Sequence, residues 1–331
     1  MSDLPVIGIP LGDSAGIGPE LAAKTAASGF LNSVCRPLII GDSRVFANAL
    51  TLIGKTAEHY PVASADEADW TRGIPVLDRK NQDPRNITPG QLDAGCGQAV
   101  MDMLTVCCEL CQQGAIAGVC FAPLNKAAMK KAGSMYESEH AFFTDKLGVT
   151  GPAGEINVLN EVSTTRITSH IPFKDVVSHL TEKLIVDAIS LAYKTVSSFG
   201  IQHPRVAVAA LNPHGGENGN CGTEEITLIG PAIEKANAQG MNALGPFPAD
   251  TLFIRVFNGE FDSVVTMYHD QGQIAMKLKG FEWGVTVVGG MPYPIATPAH
   301  GTAFDIAGKG LAKTSAFESA LKLVVRMATN N

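Results

Sequence analysis

The 331-residue chain sets 25 Lys and Arg against 32 Asp and Glu, for a net charge of −7, and is 45% hydrophobic but only 6% aromatic. It has no Lys/Arg cluster interleaved with aromatics, which excludes the usual footprint of nucleic acid or anionic membrane and leaves a small-molecule substrate as the expectation. Gly, Pro or charge interrupts every apolar run short of the ~18 to 20 residues that cross a bilayer, which excludes a membrane span.

At this length two domains are expected. Met1 runs directly into Ser2 and Asp3 with no charged-then-apolar leader, and the seven cysteines are odd in number and irregularly spaced. Both features predict a cytoplasmic chain with reduced thiols.

In chain order, short β-branched runs predict strands at 6–9, 37–40, 116–121, 156–158, 164–168, 206–211, 263–267 and 285–288. Helical periodicity appears at 88–114, 180–199, 223–239 and 314–329, with Gly or Pro near the ends. This alternation predicts an α/β fold with much parallel sheet. No repeat or long linker separates the halves, so the boundary is expected to be crossed more than once. The expected division is 1–125 with 275–331 as one α/β domain and 126–274 as the other.

The first strand feeds Gly12, Gly16 and Gly18 in GIPLGDSAGIGPEL (8–21), with Pro19 and Glu20 announcing a helix. The spacing approaches the short-chain dehydrogenase fingerprint, but no Tyr stands four residues before a Lys. It is not a phosphate-binding P-loop either, because no Gly-Lys-Ser/Thr closes it. A tight turn needing glycine's positive φ explains the loop equally well. A second glycine loop, HGTAFDIAGKG, spans 300–310. Together the two resemble the isocitrate and isopropylmalate dehydrogenase superfamily, in which the second loop wraps the adenosine end of NAD. The resemblance assigns Gly12, Gly16, Gly18, Gly301, Thr302 and Asp305 to cofactor binding. A carboxylate at Asp305 suits the ribose hydroxyls of NAD and repels the extra phosphate of NADP.

Three histidines share one placement. His170, His214 and His269 each follow an apolar strand, and ligands bind at the carboxyl ends of strands in α/β sheets. Three neutral imidazoles would suit Zn²⁺, or Co²⁺ or Mn²⁺, with positions left for substrate oxygens. Asn212, Glu217, Asp270 and Gln271 are candidates for fixing their tautomers.

The segments LNPHGGE (211–217), PADTLF (248–253), MYHDQG (267–272) and HGTA (300–303) resemble the 4-hydroxythreonine-4-phosphate dehydrogenase family of vitamin B6 synthesis, along nearly the whole chain. The resemblance implies an isocitrate/isopropylmalate dehydrogenase-like fold of two interwoven α/β domains with a cleft between them. It also implies a homodimer whose subunits both contribute to a divalent metal site (Zn, or Co, Mn or Mg) at His170, His214 and His269. The metal would lower the pKa of the substrate hydroxyl while hydride leaves to NAD. Where the new ketone lies β to a carboxylate, decarboxylation would follow. Asp250 and Lys277 are the candidates for proton transfer and charge stabilisation.

The substrate positions depart from the family pattern. Without gaps the family's Gly-His-Thr-Glu aligns with Ser138-Glu139-His140-Ala141, whereas a one-residue shift would match His140 to its His; the family's Asn aligns with Thr286, and the Arg five residues before HGTA with Ile295. Of the substrate-binding set Glu139, His140, Lys277, Thr286 and Ile295, only Lys277 keeps the family residue. Losing an Arg removes the best phosphate donor, and Glu139 would repel a dianion. A different, unphosphorylated hydroxy acid such as a cis-dihydrodiol carboxylate is therefore a second expectation, unless Lys126, Lys174 or Lys279 restores the cation. A zinc hydrolase and a non-catalytic relative are the remaining alternatives. Cys107, Cys108 and Cys111 sit in a helical pattern and are expected to pack in its core.

Overall fold

Strands that are apolar along their whole length need cover on both faces, and the chain supplies it by returning through a helix after most strands. The computed structural model describes residues 4–330, so Met1 to Asp3, where a leader was sought, lie outside the described residues. It divides into two compact units: one runs to Val149 and resumes at Met291–Thr329, and the other is Thr150–Gly290 with Asn330. Among the described residues no helix is long and apolar enough to cross a membrane.

The first unit begins with β1 (Val6–Pro10), α1 (Gly18–Ala27), β2 (Arg36–Gly41), α2 (Ser43–Leu52), β3 (His59–Val62) and β4 (Ile74–Asp78). It continues with α3 (Ala94–Gln112), β5 (Gly118–Cys120), α4 (Lys126–Lys131) and α5 (Glu139–Lys146). Helix starts follow side-chain caps. The Asp93 carboxylate accepts from Cys96 N at 2.9 Å, and so starts α3 after the Pro89-Gly90 stretch rather than at 88. Cys107, Cys108 and Cys111 are buried along α3, as the helical pattern predicted.

The second unit holds β6 (Gly154–Leu159), β7 (Val162–Arg166), α6 (Glu182–Ser198), β8 (Val206–Ala209), α7 (Gly230–Ala238) and β9 (Ala243–Phe247). It ends with α8 (Ala249–Phe257), β10 (Ser263–Thr266), α9 (His269–Gly280) and β11 (Val285–Gly289). Its strand order is β11-β6-β7-β10-β8-β9. The β11-β6 and β6-β7 pairs are antiparallel, and the remaining pairs are parallel. Ile185, Ile189, Val206, Val208, Ile233 and Val265 form the core between sheet and helices.

The chain then returns to the first unit with β12 (Ile295–Pro298) and α10 (Ser315–Asn330). The first unit's order is β3-β4-β2-β1-β5-β12, parallel throughout. Periodicity passes over β3, β4, β9 and β12, short strands that each contain proline. Pro61 and Pro246 lie on the outermost strands of their units, and Pro75 precedes the β4–β2 ladder, which starts at Val76. These are the places where a missing N–H is tolerated.

The units divide later in sequence than 125/126 and 274/275. Residues 126–149 stay with the first unit because α4 packs directly on α3: a Cβ on Gly97 would lie 2.2 Å from the Ala128 carbonyl oxygen. From α5, Phe143 meets Phe121 with ring centroids 5.8 Å apart. Residues 275–290 stay with the second unit because β11 pairs with β6 from Val285↔Val158 to Gly289↔Gly154.

That close approach makes Gly97→Val a sharp test of the α3–α4 packing. Overpacking against backbone is expected to cost about 1–3 kcal/mol or more. It should be read as a lowered urea midpoint at unchanged m-value; an unchanged midpoint would show that the two helices separate freely.

Candidate active site

The shared placement of the three histidines is visible in the second unit. Strand β10 pairs in parallel with β7 on one side and β8 on the other, so His170, His214 and His269 follow the carboxyl ends of three neighbouring strands. The rings of His170 and His269 approach to 5.7 Å between centroids. His214 follows a different turn, and among the described residues of one chain no three His, Cys, Asp or Glu side chains gather to hold an ion.

The donor chemistry nevertheless fits a divalent metal. His214 Nδ1 lies 2.6 Å from Glu217 Oε1, and His269 Nδ1 lies 2.7 Å from Asp270 Oδ1. Each contact leaves Nε2 as the available donor. The Glu217 contact and charge, with Asp250 adding its own charge, raise the pKa of His214. Asp250 is exposed in the first turn of α8. Of the four polar neighbours, Glu217 and Asp270 reach histidines. Gln271 instead holds the backbone, its carbonyl accepting from Met267 N at 2.7 Å and its amide donating to Ala210 O at 2.7 Å, and the Asn212 amide donates to the carboxylates of Glu224 and Glu225.

Asn212 leads to a residue that sequence reading missed. Glu225 Oε1 accepts from Leu211 N and Asn212 N, both at 2.8 Å, and Oε2 accepts from the Asn212 amide at 2.9 Å. Burial acts to raise its pKa, but the Asn212 side chain and the backbone N–H groups outweigh it and hold the carboxyl below its ordinary range. The only sequence signal for this role is the second of two adjacent carboxylates, Glu224 and Glu225, at the start of a helical stretch.

The substrate candidates separate. Thr286 stands half-buried on β11, where its Oγ1 accepts from the Asn157 amide at 3.2 Å. Lys277 is exposed, two turns beyond His269 on α9. Ile295 is a correction: it is 1% exposed, paired with Val119 inside the first unit's sheet, and presents no surface to a ligand. Glu139 is the first residue of α5, where Lys126 Nζ lies 2.8 Å from its Oε2. The repulsion expected of Glu139 is therefore compensated, and Lys126 is committed to that pair. His140 Nδ1 lies 3.0 Å from the Oγ of Ser138, the residue that caps α5. Sequence reading also missed Arg166 on β7. Its guanidinium donates to Ser169 Oγ at 2.9 Å, to Asn157 Oδ1 at 2.8 Å and to Glu155.

In the first unit the two glycine loops touch. Ile17 N donates to Thr302 O at 3.1 Å. A Cβ on Gly16 would lie 2.8 Å from the Thr302 Cβ, so only glycine permits the approach. Gly12 has φ +70°, and a Cβ there would lie 2.4 Å from Pro123 O; one on Gly18 would lie 2.2 Å from Leu11 O. These two glycines therefore shape the turn itself. Gly301 and the Asp305 side chain face solvent. The second loop is tethered to α1. Glu20, 2% exposed, accepts from Ala312 N at 2.7 Å, and Lys24 Nζ donates to Gly310 O at 2.9 Å and Ala312 O at 2.6 Å.

Comparison with known proteins agrees with this picture. A family model described as "Pyridoxal phosphate biosynthetic protein PdxA" matches residues 33–324. A Rhizobium meliloti protein named "Putative 4-hydroxythreonine-4-phosphate dehydrogenase 2" is 44% identical over 326 residues, covering 98% of this chain and 93% of its own. One from Symbiobacterium thermophilum, named "Putative D-threonate 4-phosphate dehydrogenase", is 37% identical, covering 99% and 98%. The crystal structure of a 4-hydroxythreonine-4-phosphate dehydrogenase from Klebsiella pneumoniae superposes with a TM-score of 0.89 at 34% identity, covering 98% of each chain.

Asp13, in the first glycine loop, offers a pH test. It is fully buried, accepts from Ala15 N at 2.9 Å through Oδ1, and has no hydrogen-bond partner for Oδ2. Burial raises its pKa from 3.8 to about 6 against the pull of the Ala15 N–H, and Asp93 adds to the rise. Between those two values the folded state binds more protons at this position than the unfolded state, so stability falls as pH rises through the window and then levels. Asp13→Asn is expected to gain thermal stability relative to the parent across that range, measured as the difference in Tm at successive pH values. A difference independent of pH would show that Asp13 does not titrate there.

Proposed function

The chain belongs to the PdxA family of dehydrogenases, and on that premise we propose that it oxidises a 4-phosphorylated, four-carbon hydroxy acid with NAD and a divalent metal. The observation that carries this reading is the row of histidines after three adjacent parallel strands, two of them with Nδ1 held by a carboxylate and Nε2 left to coordinate.

Bound at His170, His214 and His269, the metal would supply Lewis-acid acidification of the substrate hydroxyl. Asp250, exposed in the first turn of α8, would take up the hydroxyl proton. The touching glycine loops and the Asp305 carboxylate would hold NAD, which would supply the hydride acceptor for the carbinol carbon. The resulting ketone is β to the carboxylate, so CO₂ departs and a proton returns to the carbon it left. Lys277 would stabilise the developing negative charge.

Relatives are named for two substrates, 4-hydroxythreonine 4-phosphate and D-threonate 4-phosphate. These share the carboxylate, the C3 hydroxyl and the phosphate, and differ at C2, which bears an amine in one and a hydroxyl in the other. The first substrate would place the chain in pyridoxine biosynthesis. Compensation of Glu139 by Lys126 removes one obstacle to a phosphate. The obstacle that remains favours a second reading, an unphosphorylated acid such as a cis-dihydrodiol carboxylate: Ile295 is no cation, and Arg166 is engaged by Glu155, Asn157 and Ser169. The zinc hydrolase alternative finds no support among these relatives.

Activity is proposed to require a homodimer, because one chain brings only two of the three histidines together. Exposed apolar side chains on the second unit, including Phe173, Ile254, Ile274 and Leu278, would be covered in it.

NADH formation by the purified protein, with Zn²⁺, Co²⁺ or Mn²⁺ added or chelated, tests the reading. Metal-dependent turnover of one of the two phosphorylated acids is expected, with the unphosphorylated parent slower by about two orders of magnitude or more. His269→Ala should abolish turnover. Activity with the dihydrodiol carboxylate alone would establish the second reading, and turnover untouched by chelation would exclude the metal.

A further inference from the structure

The turn that carries His214 has a backbone of the wrong hand. φ is positive at six consecutive residues: 53° at His214, 69° at Gly215, 81° at Gly216, 46° at Glu217, 55° at Asn218 and 98° at Gly219. Glycine adopts such angles freely, but His214, Glu217 and Asn218 each crowd Cβ against a carbonyl. Strain of this kind persists only where the surroundings over-determine it, and it gathers at functional sites. His170 and His269 have no left-handed backbone and so need no such support.

The surroundings converge on Glu225, which is 5% exposed. Its two oxygens take the N–H groups of Leu211 and Asn212 and the Asn212 amide, the residues that lead into the turn. The Asn212 amide donates also to Glu224 Oε2 at 2.7 Å. The fit is tight from the other side as well. A Cβ on Gly216 would lie 2.7 Å from Glu225 Oε2, and one on Gly222 would lie 2.3 Å from Asn212 Nδ2. The turn, Asn212 and Glu225 therefore interlock, with Glu217 holding the ring at Nδ1.

We propose that Glu225 is a positioning residue: it locks the left-handed turn 214–219 so that His214 presents Nε2 in a fixed direction for coordination. The proposal deepens the metal reading above and rests on it. Glu225 touches neither metal nor substrate, and acts only through His214.

A double-mutant cycle on the intact protein, stripped of metal by a chelator and titrated calorimetrically with Zn²⁺, separates this role from general support of the fold. Glu225→Ala is expected to weaken Zn²⁺ binding about 10- to 100-fold. Glu225→Gln keeps one oxygen for the two backbone N–H groups and should lose less. In the presence of His214→Ala, the Glu225 change should add almost nothing. Losses that multiply, or a Glu225→Ala protein that binds Zn²⁺ like the parent, would overturn the proposal while leaving His214 as a ligand. Full affinity in His214→Ala alone would instead overturn the metal reading of His214, and this inference with it. If the alanine variant does not fold, the glutamine variant, with its melting temperature recorded, runs the same cycle.

Discussion

The chemistry of the second unit hangs on one register. Because β10 lies in parallel between β7 and β8, with Val264 opposite both Thr164 and Ala207, three loops leave the sheet on the same edge. A one-residue slip in either ladder would turn the strand faces over. It would also shift a histidine along the strand axis by about 3.3 Å. Val264 and Val265, both fully buried, pack into the cores on the two faces of that strand.

Loop geometry in both units is fixed by buried carboxylates accepting from backbone N–H groups. Asp42 takes the N–H groups of Arg44 and Gln82, both at 3.0 Å. Glu20 takes that of Ala312, Asp13 that of Ala15, and Glu225 those of Leu211 and Asn212. An ionised carboxylate has several acceptor sites and few ways to satisfy them once dry, so each one dictates where the chain beside it must run. Catalytic folds need loops that are shaped but not hydrophobic, and this is a means of obtaining them.

Local pattern carried the strands well where they were uniformly apolar: β1, β2, β8, β10 and β11 all stand where β-branched runs marked them. It failed at β3, β4 and β9, whose prolines are harmless only because of where the strands lie in their sheets, a fact of tertiary structure. Likewise α9 begins at His269, within a stretch that reads as a polar loop. The placement of the three histidines was legible because a polar residue just after an apolar strand is a local signal. The roles of Glu225, Lys24 and Arg166 were not legible, since each depends on partners brought in by the fold: Lys24 meets Gly310 and Ala312, nearly three hundred residues on. Ile295 marks the limit of carrying roles over by position: the aligned site is filled by a core side chain.

Six of the seven cysteines are buried, and burial pushes the thiols of Cys35, Cys96, Cys108 and Cys111 up to about 12 and those of Cys107 and Cys120 well above their ordinary value. Cys221 alone is exposed, its Sγ 3.7 Å from Glu217 Oε2. The protein thus comes with a built-in attachment point for a fluorophore or spin label, addressable without removing any other thiol. That point lies two residues past the left-handed turn 214–219, against its Glu217, so the label would report on the conformation of that strained loop.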